Sequence, residues 1–95
     1  MTKLDKFLDS VANTGCVICR RDTGKRVPGD VHHISEGSGQ RSDWMVACLC
    51  VDHHRIGSTS LHGAGVKQFL RMHRLSTEYH LMGLVNQYRA EDNEN

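Results

Sequence analysis

The sequence predicts a small α+β protein that relies on zinc for part of its stability. Three observations indicate this fold class: helical spacing near both ends, two β-favouring segments between them, and two close pairs of metal-type ligands that bracket those segments. The pairs are Cys16 with Cys19 and Cys50 with His53. A chain of 95 residues buries only about 60% of its unfolded surface. A metal that binds the folded chain would therefore add stability that the core lacks.

An N-terminal helix is predicted by apolar residues at helical spacing. These residues are Leu4, Phe7, Leu8 and Val11. Thr2 is placed to cap the start of the helix, and Gly15 is placed to end it. The next segment, Cys16 to Cys19, predicts a metal knuckle, which is a tight turn whose backbone amides can point at thiolate sulfurs.

Two β-favouring segments then predict a hairpin. They run from Val31 to Ile34 and from Trp44 to Leu49, with a loose loop over residues 35–42. We expect Trp44 to pack the hairpin against a C-terminal helix. One or two helical turns at residues 52–56 carry His53 and His54, and a loop rich in Gly and Ser at residues 57–65 carries His62.

The C-terminal part predicts two further helices, one from Val66 and one from near Ser76. The residues expected to face the core are Val66, Phe69, Leu70 and His73 in the first helix and Leu81, Met82, Val85 and Tyr88 in the second. For His73 and His80 we expect packing or surface roles. Residues 91–95 are polar and acidic, so we expect a disordered tail that follows a single domain over residues 1–90.

The cysteines favour a metal site, with two disulfides as the alternative. The two-residue spacing between Cys16 and Cys19 suits a metal, and 7 histidines in so short a chain strengthen that interpretation. No apolar run before the cysteines could act as a signal peptide, and no segment is long enough to cross a membrane. We therefore expect a reducing compartment. Cys48 is expected to be a buried core residue, with a ligand role as the alternative.

The net charge of +1 excludes a strong overall attraction to nucleic acid, so any DNA contact must be local. A basic cluster follows the first cysteine pair and favours either phosphate contacts or a solvated turn. Its members are Arg20, Arg21, Lys25 and Arg26. Further candidates for phosphate contacts are Arg41, Arg55 and Lys67, which flank the ligand-type residues in the sequence.

The order of the ligand-type residues resembles the HNH, or ββα-metal, endonucleases over residues 16 to about 62. The parts that carry the resemblance are Cys16, Cys19, His32, His33, Cys50, His53, His54 and His62. More narrowly, Cys-x-x-Cys, His-His-Ile, Leu-Cys-x-x-His-His and a trailing Leu-His are similar to the phage recombination-enhancement, RecA-dependent nucleases. The resemblance implies a ββα-metal finger that hydrolyses DNA phosphodiester bonds. It also implies a phage or prophage origin, action in the cytoplasm of the bacterial host, and a link to the RecA filament.

The resemblance also implies a role for each ligand-type residue. A structural zinc would be held by Cys16, Cys19, Cys50 and His53, a set that tetrahedral zinc accepts. A catalytic divalent metal would be held by His32, His54 and His62, and His33 would be the general base. Adjacent residues on a strand face opposite ways, which allows one histidine to face the metal and its neighbour to face the attacking water.

The chemistry leaves the identity of the working metal open. Phosphodiester hydrolysis of this type favours Mg²⁺ or Mn²⁺, whereas three imidazoles suit Zn²⁺ or another transition ion. Zinc could therefore occupy the site in purified protein while magnesium or manganese supports cleavage. Because the reference pKa of histidine lies near 6.5, we expect cleavage to fall as the pH drops through about 6.

Two other classes of function fit parts of the pattern. A non-catalytic zinc module that binds DNA or protein would use every histidine as a structural ligand and would cut nothing. A small secreted disulfide protein would contain no zinc and no free thiols. A toxin-type nuclease is a variant of the nuclease hypothesis and would require a tight inhibitor.

Overall fold

The computed structural model of the chain describes residues 1–34 and 42–93. Most of the predicted hairpin loop, and Arg41 with it, lie outside the described residues. Within them the protein is a small α+β structure of six helices and a two-stranded sheet. The α+β part of the predicted fold class is therefore confirmed.

Helix α1 (Lys3–Asn13) forms as predicted, and a reciprocal pair of hydrogen bonds fixes its start. The Thr2 hydroxyl accepts from the Asp5 amide at 3.0 Å, and the Asp5 carboxylate accepts from the Thr2 amide at 3.1 Å. A cap of this kind satisfies two amides that the helix leaves unpaired and contributes about 1 kcal/mol. Val11 is fully buried and anchors the helix to the core.

The predicted metal knuckle turns out to be the start of a second helix, α2 (Val17–Thr23). Cys16 is its N-cap residue, and Gly24, with a φ of 76°, ends it in the left-handed conformation. Cys16 and Cys19 are three positions apart across the first turn, so their side chains lie on the same side of the helix. The helix therefore points two thiols in one direction. The sequence predicted the same role for a tight turn.

Strands β1 (Asp30–His33) and β2 (Val46–Leu49) form the predicted hairpin. They pair antiparallel, with Asp30 opposite Leu49 and His33 opposite Val46. All four residues of β2 are buried, since α1, α2 and α6 pack against it. β1 is less buried, which leaves its two histidines partly open to solvent.

Two short helices follow the hairpin, α3 (Val51–His54) and α4 (Leu61–Ala64). The region 57–65 was predicted to be a loop throughout, so α4, which contains His62, is a correction. The Ser60 hydroxyl accepts from the Gly63 amide at 2.8 Å and donates to the Gly57 carbonyl at 2.9 Å. A Cβ at position 63 would overlap that Gly57 carbonyl, so glycine is needed there. The helix thus depends on its cap and on this close approach more than on helix propensity.

Helices α5 (Val66–Met72) and α6 (Tyr79–Asn93) complete the structure. The largest fully buried side chains are Phe69, Ile18, Ile34, Leu49 and Leu81. Leu81, Val85 and Tyr88 are buried as predicted, whereas Val66 is exposed. The centroids of the Trp44 and Phe7 rings are 4.9 Å apart. The ring contact that the structure shows for Trp44 is thus with α1, whereas a contact with a C-terminal helix was expected.

The end of α6 corrects the predicted disordered tail for residues 91–93. Asp92 binds the guanidinium of Arg20 through two hydrogen bonds of 2.8 and 3.1 Å and that of Arg26 at 2.6 Å. These pairings hold the last turn of α6 against α2, which the acidic composition alone did not indicate. Among the described residues, no helix is long and apolar enough to span a membrane.

Candidate metal centres

Three thiols and one imidazole converge between α2 and α3. Cys16 and Cys19 come from the first turn of α2, Cys50 precedes α3, and His53 lies on α3. Their ligand atoms all lie within 4.8 Å of one another. We refer to Cys16, Cys19, Cys50 and His53 as the cysteine site.

The spacing within the cysteine site matches a tetrahedral zinc shell. Zinc bonds of about 2.3 Å to sulfur and 2.0–2.1 Å to nitrogen give tetrahedron edges of about 3.8 Å between two sulfurs and 3.5–3.6 Å between sulfur and nitrogen. The Cys19 and Cys50 sulfurs are 3.8 Å apart, and the His53 Nδ1 lies 3.5 Å from the sulfurs of both Cys16 and Cys19. A disulfide would need about 2.05 Å, and all four cysteines of the chain are free thiols.

The electrostatics of the cysteine site also call for a cation. Burial raises the pKa of the Cys19 thiol to about 12, and the neighbouring Cys16 thiol adds to the shift. Burial raises the pKa of Cys16 as well. Burial lowers the pKa of His53, which keeps its imidazole neutral and able to donate a lone pair. Such crowded thiolates are stable only beside a compensating charge, which a bound dication supplies.

Three histidines form a second group on the other side of α3. His32 lies on β1, His54 on α3 and His62 on α4, and their ligand atoms also lie within 4.8 Å of one another. We refer to His32, His54 and His62 as the histidine site. Only the hairpin and the two short helices together could bring these residues, which are distant in sequence, to one place.

The rings of His54 and His62 show how an ion would fit the histidine site. Their Nε2 atoms are 3.2 Å apart, close to the tetrahedron edge of about 3.3–3.4 Å that two zinc–nitrogen bonds give. Burial lowers the pKa of His54, and the nearby His62 lowers it further. His54 therefore stays neutral, as a ligand must. His54 is buried and His62 is exposed, so the site is reached from the His62 side.

His33 follows His32 on β1 and is not part of either group of ligands. Its Nε2 lies 3.1 Å from Oδ1 of Asp43, which stands just before β2. A carboxylate at this distance fixes the orientation of an imidazole and favours a proton on the nitrogen that faces it. Asp43 could not be found from the sequence, because its pairing with His33 depends on the register of the hairpin.

A buried carboxylate close to the histidine site was also missed. Glu78 precedes α6 and is only 2% exposed. Its Oε2 lies 3.6 Å from Nε2 of His32. Nothing in the local sequence marks Glu78, since it is far from the other site residues along the chain and only the packing of α6 brings it to β1.

The predicted DNA-contact residues fall into two sets. The Arg20 guanidinium is 11% exposed, pairs with Asp92 and lies over the Tyr88 ring, and Arg26 shares the Asp92 carboxylate. Arg21 pairs with its neighbour Asp22. The remaining described candidates, Lys25, Arg55 and Lys67, are exposed. Of these, Arg55 lies 3.6 Å from the Asp30 carboxylate.

The other cysteine and histidines lie outside both groups in the described part of the chain. Cys48 is fully buried in β2, which confirms the expected burial. The His73 ring packs on Phe69, and its Nε2 donates to the Thr59 carbonyl at 3.1 Å. His80 accepts from the Ser76 amide at 3.4 Å. Both histidines thus make ordinary structural contacts.

Over residues 1–34 and 42–93, the fold and these groups define a small α+β protein with one Cys/His cluster and one His cluster, each spaced to bind a metal ion. The chain belongs to the family of recombination-enhancement, RecA-dependent nucleases, whose model matches residues 2–92. The family name implies nuclease activity, and with it a DNA substrate, and suggests a role for RecA. Comparison with curated proteins gives no match, and comparison with solved structures gives none.

Proposed function

We propose that the protein is a metal-dependent endonuclease of the HNH type that hydrolyses DNA phosphodiester bonds. One observation carries the proposal: within the described residues, the cysteine site has four ligands whereas the histidine site has three. Zinc sites with a structural role are closed by four protein ligands, and catalytic sites keep a position open. The contrast favours a structural role for the cysteine site and a chemical role for the histidine site.

The structural zinc would bind to Cys16, Cys19, Cys50 and His53. Its function would be to join α2 to α3, because each helix contributes ligands. A structural zinc contributes directly to the free energy of folding. In so small a protein it would hold the scaffold on which the histidine site is built.

The histidine site would act on a DNA phosphate. A divalent ion bound there would supply charge neutralisation at the scissile phosphate and stabilise the leaving oxygen. His32, His54 and His62 would hold it, and the exposed side of His62 leaves room for the phosphate. Because the ion needs access to substrate, a site that is open on one side suits catalysis.

His33 would be the general base. Its Nε2 lies 3.1 Å from Oδ1 of Asp43, so an N–H at that nitrogen would donate a hydrogen bond to the carboxylate. The other ring nitrogen, Nδ1, would then carry the lone pair that removes a proton from the attacking water. The side chains of His32 and His33 leave opposite faces of β1, which separates the ion from the base.

The three imidazoles would bind Zn²⁺ or another transition ion most tightly. Mg²⁺ prefers oxygen ligands, so Mn²⁺ is the better candidate for the working ion of a site with this donor set. Purified protein would carry zinc at both sites unless it is treated with a chelator.

The partners would be DNA and a RecA filament, in a phage or prophage protein that acts in the bacterial cytoplasm. Lys25 and Lys67 are exposed and could contact phosphates. Arg55 could also contact them, because its ion pair with Asp30 is long, at 3.6 Å, and both side chains are more than 60% exposed. Arg20 is left out of this proposed contact set because its guanidinium is already paired within the fold. Contacts of this kind bind the backbone without reading sequence, so we expect low sequence specificity.

The test is a cleavage assay on plasmid and single-stranded DNA with Mg²⁺, Mn²⁺ or Zn²⁺, with and without a RecA filament. The wild type should cut and His33→Ala should not, although both should contain the structural zinc. His80→Ala is the matched control, since it removes an exposed histidine that lies in neither group. If folded, zinc-bound wild type cuts under no condition, the proposal is wrong and a non-catalytic zinc module takes its place.

A further inference from the structure

We infer that Glu78 is a positioning residue of the histidine site, which acts by holding the imidazole of His32. This inference rests on the proposed function, because it assumes that the histidine site binds an ion. Three observations support it: the burial of the carboxylate, its distance from His32, and its place outside the group of ligand atoms.

The first observation is the burial of an acidic side chain. Glu78 is 2% exposed, and its side chain is 3% exposed. Glutamate is almost never so buried without a partner, because removing an ionised carboxylate from water is strongly unfavourable. The His32 imidazole is one group near this carboxylate that can offset the cost.

The second observation is the position of His32. Its side chain is 12% exposed, and its Nε2 lies 3.6 Å from Oε2 of Glu78. A hydrogen bond of this type is normally 2.7–3.2 Å long, so a small closing movement would form one. An ion on the imidazole withdraws electron density from the ring and makes its remaining N–H a better donor. The bond to Glu78 should therefore strengthen when the site is filled.

The third observation separates Glu78 from the ligands themselves. The ligand atoms that lie within 4.8 Å of one another belong to His32, His54 and His62, and Glu78 is not in that group. Because the carboxylate of Glu78 faces Nε2 of His32, Nδ1 of His32 is assigned as the atom that binds the ion, and Nε2 is left for Glu78. Histidines that bind metal commonly donate their second N–H to a carboxylate, which fixes the tautomer and raises the basicity of the ligand.

The placement of Glu78 connects the histidine site to the C-terminal helix. Glu78 immediately precedes α6, whose buried face packs against β2. His32 lies on β1, the strand that pairs with β2. The carboxylate thus connects the start of α6 to the strand that carries His32, where it faces Nε2 of the imidazole.

The experiment measures binding of Co²⁺ or Zn²⁺ to the histidine site of the full chain, with zinc already at the cysteine site. Glu78→Gln should keep its structural zinc and its fold, yet bind the second ion about 10–100-fold more weakly than the wild type. The cobalt absorption spectrum should change as the ligand loses its orientation. Excess Mn²⁺ should restore cleavage, because all three ligands remain. Glu91→Gln, the same chemical change at a carboxylate that is half exposed, should bind the ion as the wild type does.

Two further measurements keep the inference falsifiable. If Glu78→Gln does not fold, Glu78→Asp keeps the charge and should show an intermediate loss of affinity. In a double-mutant cycle, Glu78→Gln should cost no further affinity once His32→Ala has removed the imidazole. Equal ion affinity in wild type and Glu78→Gln would overturn the inference while the proposed function stands. If the wild type binds no second ion, the histidine site itself fails, and the inference fails with it.

Discussion

His53 and His54 are consecutive residues of α3, yet their imidazoles belong to different sites. The His53 Nδ1 lies 3.2 Å from the Cys50 sulfur, and the His54 Nε2 lies 3.2 Å from the Nε2 of His62. Neighbours on a helix point about 100° apart, so a single four-residue helix can serve both sites. Whatever holds His53 in place therefore also positions His54.

This relationship predicts opposite results for two adjacent substitutions. His53→Ala should lose the structural zinc and much of the folded structure, because it removes one of four ligands from a closed shell. His54→Ala should keep that zinc and the fold but lose the second ion and the cleavage activity. Zinc content measured by mass spectrometry, together with circular dichroism, would distinguish the two variants. Loss of the zinc at the cysteine site from His54→Ala would contradict the division into two sites.

The cysteines allow a matched comparison between a ligand and a core residue. Cys16→Ala should unfold the chain, because structural zinc contributes about 10–16 kcal/mol in zinc-finger peptides and a small domain has a net stability of only about 5–15 kcal/mol. Cys48→Ala is equally buried but lies outside the cysteine site in the described structure. We expect it to stay folded with full zinc content and to lose about 1 kcal/mol of stability. Thermal unfolding with a zinc assay measures both effects, and a stable, zinc-bound Cys16→Ala would refute the zinc assignment.

The metal-type ligands could be found from the sequence because each pair is local. Cys16 and Cys19, and likewise Cys50 and His53, are three residues apart, which is a spacing that one helical turn converts into a shared direction. The hairpin was also predictable, since β-favouring residues cluster on both sides of a Gly-containing stretch. The helix that carries Cys19 could not be predicted. α2 is too short to show an apolar repeat, and it begins at a residue that was interpreted as a metal ligand in a turn.

The rest of the site depends on tertiary packing. α4 was missed because Gly63 within it and the Gly- and Ser-rich residues around it disfavour a helix. The cap at Ser60 and the close approach of Gly63 decide the local structure. Glu78 reaches His32 only because α6 packs on the sheet. The ordered end of α6 was missed because composition cannot show that Arg20 lies opposite Asp92.

Asp43 offers a test of how the proposed base is oriented. His33→Ala should lower the rate of cleavage by about 10²–10⁴-fold, the usual contribution of general base catalysis. Asp43→Asn should lower it by less, on the order of tenfold, because the Asp43 side chain is 63% exposed and water screens its interaction with the imidazole. Single-turnover cleavage at saturating metal would measure both rates, with metal affinity as the control. If Asp43→Asn changes the metal affinity and leaves the cleavage rate unchanged, Asp43 does not orient His33, the proposed general base.

The ion pair between Arg20 and Asp92 predicts a stability effect with a defined pH dependence. The hydrogen bonds and charge of Arg20, with the charge of Arg26, lower the pKa of Asp92 below its usual value of 3.8. A carboxylate whose pKa is lower in the folded state stabilises the protein above the pKa of the unfolded state, and this contribution disappears as the pH falls through the lower, folded value. Asp92→Asn should therefore destabilise the protein equally at pH 6, 7 and 8.

The size of that effect follows from the geometry of the pair. The two side chains are 11% and 19% exposed and make two hydrogen bonds, so we expect a loss of about 1 kcal/mol, at the upper end for ion pairs near a surface. Glu91→Gln is the matched control, because Glu91 contacts Arg20 at a longer distance of 3.5 Å and is half exposed. Its loss should be smaller. Urea unfolding of the zinc-bound variants at the three pH values measures both. A loss for Asp92→Asn that grows or shrinks between pH 6 and pH 8 would mean that a group other than this carboxylate is responsible.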